Sequence, residues 1–165
     1  MHRLYTATLL VSASAIAYEI LLMRILTIVQ WHHFAWMIIS LALLGYGTSG
    51  TAIALGRKWL EQRFEASFSV SALLFSITMV VCLALFQHVP FNALEIVWNP
   101  KQFLYLTLIY LLFMLPFFFA AACIGLALLC RKDRIEKIYF TDLLGAGLGA
   151  LLLIGLLFAL RPMQA

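Results

Sequence analysis

Residues 103–130 read FLYLTLIYLLFMLPFFFAAACIGLALLC and contain no charged side chain. A transmembrane helix needs about 20 mainly apolar residues to cross roughly 30 Å of hydrocarbon, so this stretch is long enough to span a bilayer. Pro116 lies near its middle and removes one backbone hydrogen bond. We therefore predict a single tilted or kinked helix. A pair of re-entrant half-helices is the alternative interpretation.

Four further apolar stretches surround this one. The five predicted spans cover residues 4–29, 34–55, 68–86, 103–130 and 143–160. The runs are continuously apolar and do not alternate, which favours helices over a β-barrel. Of all residues 65% are hydrophobic and only 11% are charged, a balance unlike that of soluble domains. The sequence thus predicts an all-α, polytopic transmembrane helix bundle, one domain over residues 1–165, that contacts the lipid bilayer.

The basic residues are distributed unequally between the two sides of the predicted bundle. The positive-inside rule places the richer side in the cytoplasm, so we predict a cytoplasmic N-terminus and cytoplasmic loops near residues 56–67 and 131–141. Because these residues belong to short separate loops, nucleic acid is not an expected partner. The cytoplasmic set is Arg3, Arg57, Lys58, Arg63, Arg131, Lys132, Arg134 and Lys137, and the opposite set is Arg24, Lys101 and Arg161.

Glu19 and Arg24 are charged residues inside the first predicted span, where an ionised group costs about 2.5–3.5 kcal/mol. We expect both to face the interior of the bundle. Five residues apart on a helix, they point about 140° apart, so each needs a partner elsewhere. The short connection to the second span predicts a helical hairpin that brings Glu19 level with Gly45. The predicted intramembrane polar cluster comprises Glu19, Arg24, Tyr46 and Thr48. It is either a structural clasp or a proton or substrate relay.

The second span contains Gly45-Tyr46-Gly47-Thr48-Ser49-Gly50, which formally matches the dinucleotide-binding pattern G-x-G-x-x-G. That pattern requires a preceding strand and a following amphipathic helix, whereas this segment lies inside an apolar span. We therefore interpret Gly45, Gly47 and Gly50 as helix-packing positions. No cofactor is predicted.

Asp142 precedes a second glycine-rich stretch, which ends at Gly149. We predict that Asp142 caps the last helix at the cytoplasmic surface. Gly145 and Gly149 form a G-x-x-x-G face, which favours close helix association. Packing within the fold and dimerisation are both open interpretations of this face.

The cysteines and histidines do not form a metal-binding pattern. Cys82, Cys123 and Cys130 lie in or at the end of apolar runs without a C-x-x-C pair. Adjacent side chains on a helix diverge, so His32 and His33 do not readily share one metal ion. We interpret the two histidines as interfacial residues and predict no metal site. Haem or copper ligation remains open as the alternative.

Four segments resemble the membrane portion of bacterial spermidine-synthase-like proteins. They are Tyr18–Arg24, Trp31–Ala35, Ser40–Gly50 and Tyr139–Gly149, and they occur in order over most of the chain. Members of that family typically join several transmembrane helices to a soluble aminopropyltransferase-like domain with a Rossmann-type methyltransferase fold. The soluble relatives bind decarboxylated S-adenosylmethionine and a polyamine. The resemblance implies a location in the bacterial inner membrane.

The 165 residues contain no recognisable soluble catalytic domain. Among the candidate residues only Glu19, Arg24 and Asp142 match family motif positions, and no catalytic residue is carried over. We expect that these residues alone are not an enzyme. The resemblance implies a membrane module that anchors the protein or handles a small cationic or amphipathic substrate. The alternatives are a small structural subunit that docks on other transmembrane helices of a larger complex, and a small oligomeric transporter.

Overall fold

Five long helices make up the part of the chain that a computed structural model describes, namely residues 2–29, 33–92, 95 and 98–159. Each is long and apolar enough to cross a membrane, and these ranges contain no strand. The prediction of an all-α bundle with five spans is confirmed, and the chain is a multi-pass membrane protein. The helices are α1 (His2–Val29), α2 (His33–Gln62), α3 (Phe64–Phe86), α4 (Lys101–Cys130) and α5 (Ile135–Ala159), with a 3-10 turn at Lys132–Arg134 before α5.

The helix α4 is the central helix of the bundle, because it packs against α1, α2 and α3. It is one continuous helix of 30 residues with Pro116 inside it, so the alternative of two re-entrant halves is wrong. Phe113 and Phe117 flank the proline and are fully buried. Their packing on the neighbouring helices offsets the hydrogen bond that Pro116 removes.

The helix α2 continues beyond the predicted end of the second span. The sequence predicts a loop near residues 56–67, but only Arg63 separates α2 from α3. The residues after Gly56 are good helix formers, and neither glycine nor proline interrupts them. Arg57 also donates a hydrogen bond from Nε to Glu61 Oε1 one turn further on, at 3.0 Å. Such a pair supports an exposed helix end.

The core forms where α1, α2, α3 and α4 meet, and the outer faces of α3 and α5 remain apolar. Val80 on α3 is 70% exposed and Leu152 on α5 is 71% exposed. Apolar area of this kind is unfavourable in water and is suited to hydrocarbon. The largest cluster of buried core side chains comprises Tyr18, Leu22, Leu26, Met37, Ile38, Leu41, Ala42, Cys82, Phe86, Phe91, Ile109, Phe113 and Phe117.

One end of the bundle, called here the basic end, brings together the start of α1, the α2–α3 connection and the α4–α5 connection. The guanidinium of Arg131 lies 5.6 Å from the ring centroid of Phe64, which joins the two connections. Arg134 Nη1 lies 3.5 Å from the Tyr5 hydroxyl, which joins the α4–α5 connection to α1. Exposed arginines at this end can remain in water or among lipid headgroups.

Candidate functional site

The contact between α1 and α5 is the closest helix approach in the candidate site. Gly145 and Gly149 are buried in α5. A Cβ atom at either position would collide with the backbone of α1, at Leu9 and Ala13 respectively. Glycine is required at both positions because no other residue permits this distance. The predicted G-x-x-x-G face therefore packs against α1 of the same chain.

Asp142 lies inside α5 and faces α1. Because α5 begins at Ile135, Asp142 is seven residues into the helix and is not the helix cap that the sequence predicts. The residues before it include no glycine or proline, so the helix extends toward the basic end. The carboxylate oxygen Oδ1 of Asp142 accepts a hydrogen bond from Ser12 Oγ. Ser12 is 2% exposed, so this bond lies within the bundle.

A cavity of about 400 Å³ lies beside this hydrogen bond, between α1, α2, α4 and α5. Its polar lining is provided by Ser12, Tyr46 and Asp142, and the other lining residues are apolar or glycine. Gly50 lines the cavity and is exposed, so the cavity reaches the surface of the bundle beside α2. We call this space the polar cavity.

Glu19 lies on the same face of α1 as Ser12, because seven residues are close to two helical turns. This spacing places it about 10 Å further from the basic end along the helix axis. Its side chain is half-buried, and it makes no hydrogen bond or ion pair with a described residue. Tyr46 and Asp142 line the polar cavity, and Glu19 is not among its lining residues.

Arg24 and Thr48, the other two members of the predicted polar cluster, do not reach this cavity. Arg24 is exposed and lies near Leu157 and Phe158 at the far end of α5, contrary to the expectation that it faces the interior. Its position close to the end of α1 lets the long side chain extend outward. The Thr48 hydroxyl donates to the carbonyl oxygen of Leu44 at 2.8 Å, so its own helix satisfies it.

The three glycines of the second span have different surroundings. A Cβ atom at Gly45 would lie 2.8 Å from Phe117 Cβ and 3.0 Å from the carbonyl oxygen of Met114. Gly45 thus allows α2 to approach α4 closely. At Gly47 and Gly50 a Cβ atom would meet nothing within 4 Å. Among the described residues, these two positions make no close packing contact.

Sequence reasoning missed Ser12 and the interior position of Asp142. Two signals could have found them. Ser12 precedes Glu19 by seven residues, which predicts a shared helix face. The run from Ile135 to Asp142 lacks a helix breaker, which predicts a helix that starts before the aspartate. Neither signal identifies the partner of Asp142, because that partner lies 130 residues away.

The described cysteines and histidines do not build a metal centre. Across residues 2–29, 33–92, 95 and 98–159, no group of three His, Cys, Asp or Glu side chains could hold a metal ion. Cys82 and Cys123 are buried free thiols, and Cys130 is half-buried. His32 and the side chain of His33 lie outside the described part of the chain, so their interfacial role stays a prediction.

Comparison of the chain with protein-family models, with curated proteins and with solved structures finds no match. A carboxylate in an apolar, membrane-embedded cavity attracts cations and hydrogen-bond donors, and it does so strongly because water screens it little. The arrangement is suited to binding a cationic group.

Proposed function

We propose that the chain is the membrane module of a bacterial spermidine-synthase-like protein, which anchors that protein in the inner membrane and binds a small cationic or amphipathic molecule within the bundle. The supporting observation is that separate segments of the resemblance converge on one cavity. Tyr46 and Gly50 from one segment and Asp142 and Ala146 from another line the polar cavity. Glu19, from a third, lies on the face of α1 that carries Ser12.

The unmet hydrogen-bonding capacity of the two carboxylates favours binding over a purely structural clasp. In a structural clasp each polar group should have a hydrogen-bonding partner, because an unpaired charge in hydrocarbon is costly. Asp142 accepts one hydrogen bond from Ser12, and Glu19 makes none with a described residue. A bound cation would complete the coordination of Asp142 and offset part of this cost.

The position of the cavity fits a module that exchanges its ligand on the cytoplasmic side. The unequal charge distribution supports a cytoplasmic basic end. Asp142 lies about 10 Å from the start of α5 at the helical rise per residue. Leu128, which also lines the cavity, is two residues from the end of α4. The cavity thus occupies the half of the bundle nearer the basic end.

Native mass spectrometry of the assembly purified from host membranes tests the proposal. We expect the wild-type chain to carry a bound small molecule and to be accompanied by a methyltransferase-like domain, in the same polypeptide or as a separate subunit. In Gly50→Phe, which places a ring at a lining residue without a clash at Cβ, the domain should remain and the small molecule should be lost. Gly155→Phe, at an equally open position outside the cavity, is the matched control. A wild-type assembly with neither component would refute the proposal.

Docking within a larger membrane complex is the second candidate function, and Gly47 favours it. This glycine is exposed on α2 and has no atom within 4 Å of a Cβ position, so another transmembrane helix could approach there closely. Copurification with a respiratory or photosynthetic complex would support this candidate. That association should be lost in Gly47→Leu and retained in Gly155→Leu.

A further inference from the structure

We infer that the polar cavity selects an amphipathic monoamine, that is, a molecule with one ammonium group on an uncharged and mainly apolar body. The inference rests on the proposed binding function and adds the chemical class of the ligand. It follows from the cavity lining, in which only Ser12, Tyr46 and Asp142 are polar and the other nine residues are apolar or glycine.

One part of the cavity wall offers hydrogen-bond acceptors to a cation. An ionised carboxylate has about four acceptor positions, and Asp142 uses one of them for Ser12. No described lysine or arginine lies within ion-pair distance of Asp142. Tyr46 also lines the cavity, and its hydroxyl makes no hydrogen bond with a described residue. An ammonium group is a donor to both, and its bond to a carboxylate is charge-assisted and short.

The remaining wall is apolar. Ile16, Ile53, Ile124 and Leu128 come from α1, α2 and α4 and offer only hydrocarbon to a ligand. An alkyl chain or an aromatic ring would gain free energy by leaving water for this surface. A second charged group placed there would lose its hydration without a partner. The volume of about 400 Å³ is within the range of small-molecule sites.

The second carboxylate does not alter this conclusion, because Glu19 is not part of the cavity lining. Glu19 lies on the same face of α1 as Ser12, about two helical turns further from the basic end. It does not provide a direct partner for a second ammonium group, so a monoamine is favoured over a diamine of similar length.

Photoaffinity labelling of the chain in lipid nanodiscs tests the inference. The probe is an alkyl primary amine that carries a diazirine near its apolar end, and peptide mass spectrometry locates the labelled residues. We expect labelling of the α1, α2 and α4 segments that line the cavity. It should be reduced by n-octylamine, and little by n-octanol, octanoate or the corresponding α,ω-diamine. Nanodiscs without protein correct for partition of each competitor into lipid.

Two variants connect the labelling to the proposed groups. Asp142→Asn should reduce labelling about tenfold, as expected for the loss of one charge-assisted hydrogen bond, while Glu136→Gln should leave it unchanged. Glu136 is the matched control because it is an exposed carboxylate in the first turn of the same helix. Gly50→Phe should abolish the labelling by filling the cavity. This second variant keeps the test valid if Asp142→Asn does not fold.

Several results would overturn the inference while the proposed function stands. Equal competition by n-octanol would show that the cavity recognises only apolar groups. Stronger competition by the diamine would show that two ammonium groups are bound. Displacement by sodium ions at constant ionic strength would assign Asp142 to an inorganic cation. If no probe labels the cavity and the native assembly carries no small molecule, both the inference and the binding function fail.

Discussion

Asp142 and Glu19 are two carboxylates with different local surroundings, although both lie well inside membrane-spanning helices. Asp142 is hydrogen-bonded to Ser12 across a tight helix contact. Glu19 is half-buried and has no hydrogen-bonding partner among the described residues. The contribution of a polar group to stability depends on whether its partners are present in the fold. The two acids should therefore respond differently to substitution.

Replacement of Glu19 should not destabilise the bundle. Because its carboxylate makes no bond that folding would lose, both Glu19→Gln and Glu19→Leu should fold as well as the wild type, and Leu should gain up to about 2 kcal/mol by removing a poorly solvated acid. Titration with a denaturing detergent, followed by circular dichroism, measures the free energy of unfolding. A relay function would appear as loss of the activity of the full system in both variants, without loss of stability. A loss of stability in Leu but not in Gln would instead support the structural clasp.

At the scale of the elements, glycines position α5. The helix α5 packs mainly on α1, and Gly145 and Gly149 allow the two backbones to approach closely. That approach brings the short side chains of Ser12 and Asp142 into contact. The polar cavity thus depends on a packing contact that lies one to two turns away from it.

Gly149→Ala should destabilise the bundle by about 1–3 kcal/mol, because the new methyl group would collide with the Ala13 carbonyl group. Gly147→Ala is the matched control on the same helix, since a Cβ there meets nothing within 4 Å. It should be neutral or slightly stabilising, because alanine is the better helix former. The same detergent titration compares the two variants. Equal stability of both would contradict the close α1–α5 contact.

At the scale of the whole molecule, the bundle has a charge difference between its ends and apolar faces between them. Arg131 and Arg134 contact Phe64 and Tyr5 respectively, so the α4–α5 connection meets the starts of α3 and α1 at one end. The described tryptophans Trp36, Trp59 and Trp98 are all exposed. Exposed tryptophans near helix ends are typical of the membrane interface.

We predict that the basic end is cytoplasmic. In a variant without the native cysteines, Lys58→Cys and Lys137→Cys should react with a membrane-impermeant maleimide only after the cytoplasmic side is opened. Asn99→Cys, in the α3–α4 connection at the other end, should react in intact cells. The physical reason is that lysine and arginine are retained on the cytoplasmic side during insertion. Labelling of Lys58→Cys and Lys137→Cys in intact cells would reverse the orientation.

Much of the fold could be predicted from the sequence, because a helix in lipid satisfies its backbone within one segment. Residues 103–130 therefore predict a helix whatever the rest of the chain does. Local rules also explain the errors at helix ends. The stretch Arg57–Gln62 is polar and still helical, because a helix that leaves the membrane can continue in water when its residues favour it.

The candidate site could be predicted only in part, since its members come from distant segments. The packing of α2, which carries Tyr46, against α1, which carries Glu19, follows from the short connection between them, because hairpin geometry is set by local sequence. Ser12 and Asp142 are 130 residues apart in the sequence. Their contact depends on which helix packs against the face of α5 that carries Gly145 and Gly149. Helix packing in a membrane is decided by shape and by buried hydrogen bonds, because lipid and side chains are equally apolar. Hydropathy is nearly the same for every candidate partner, so only the tertiary structure decided that α1 is the partner of α5.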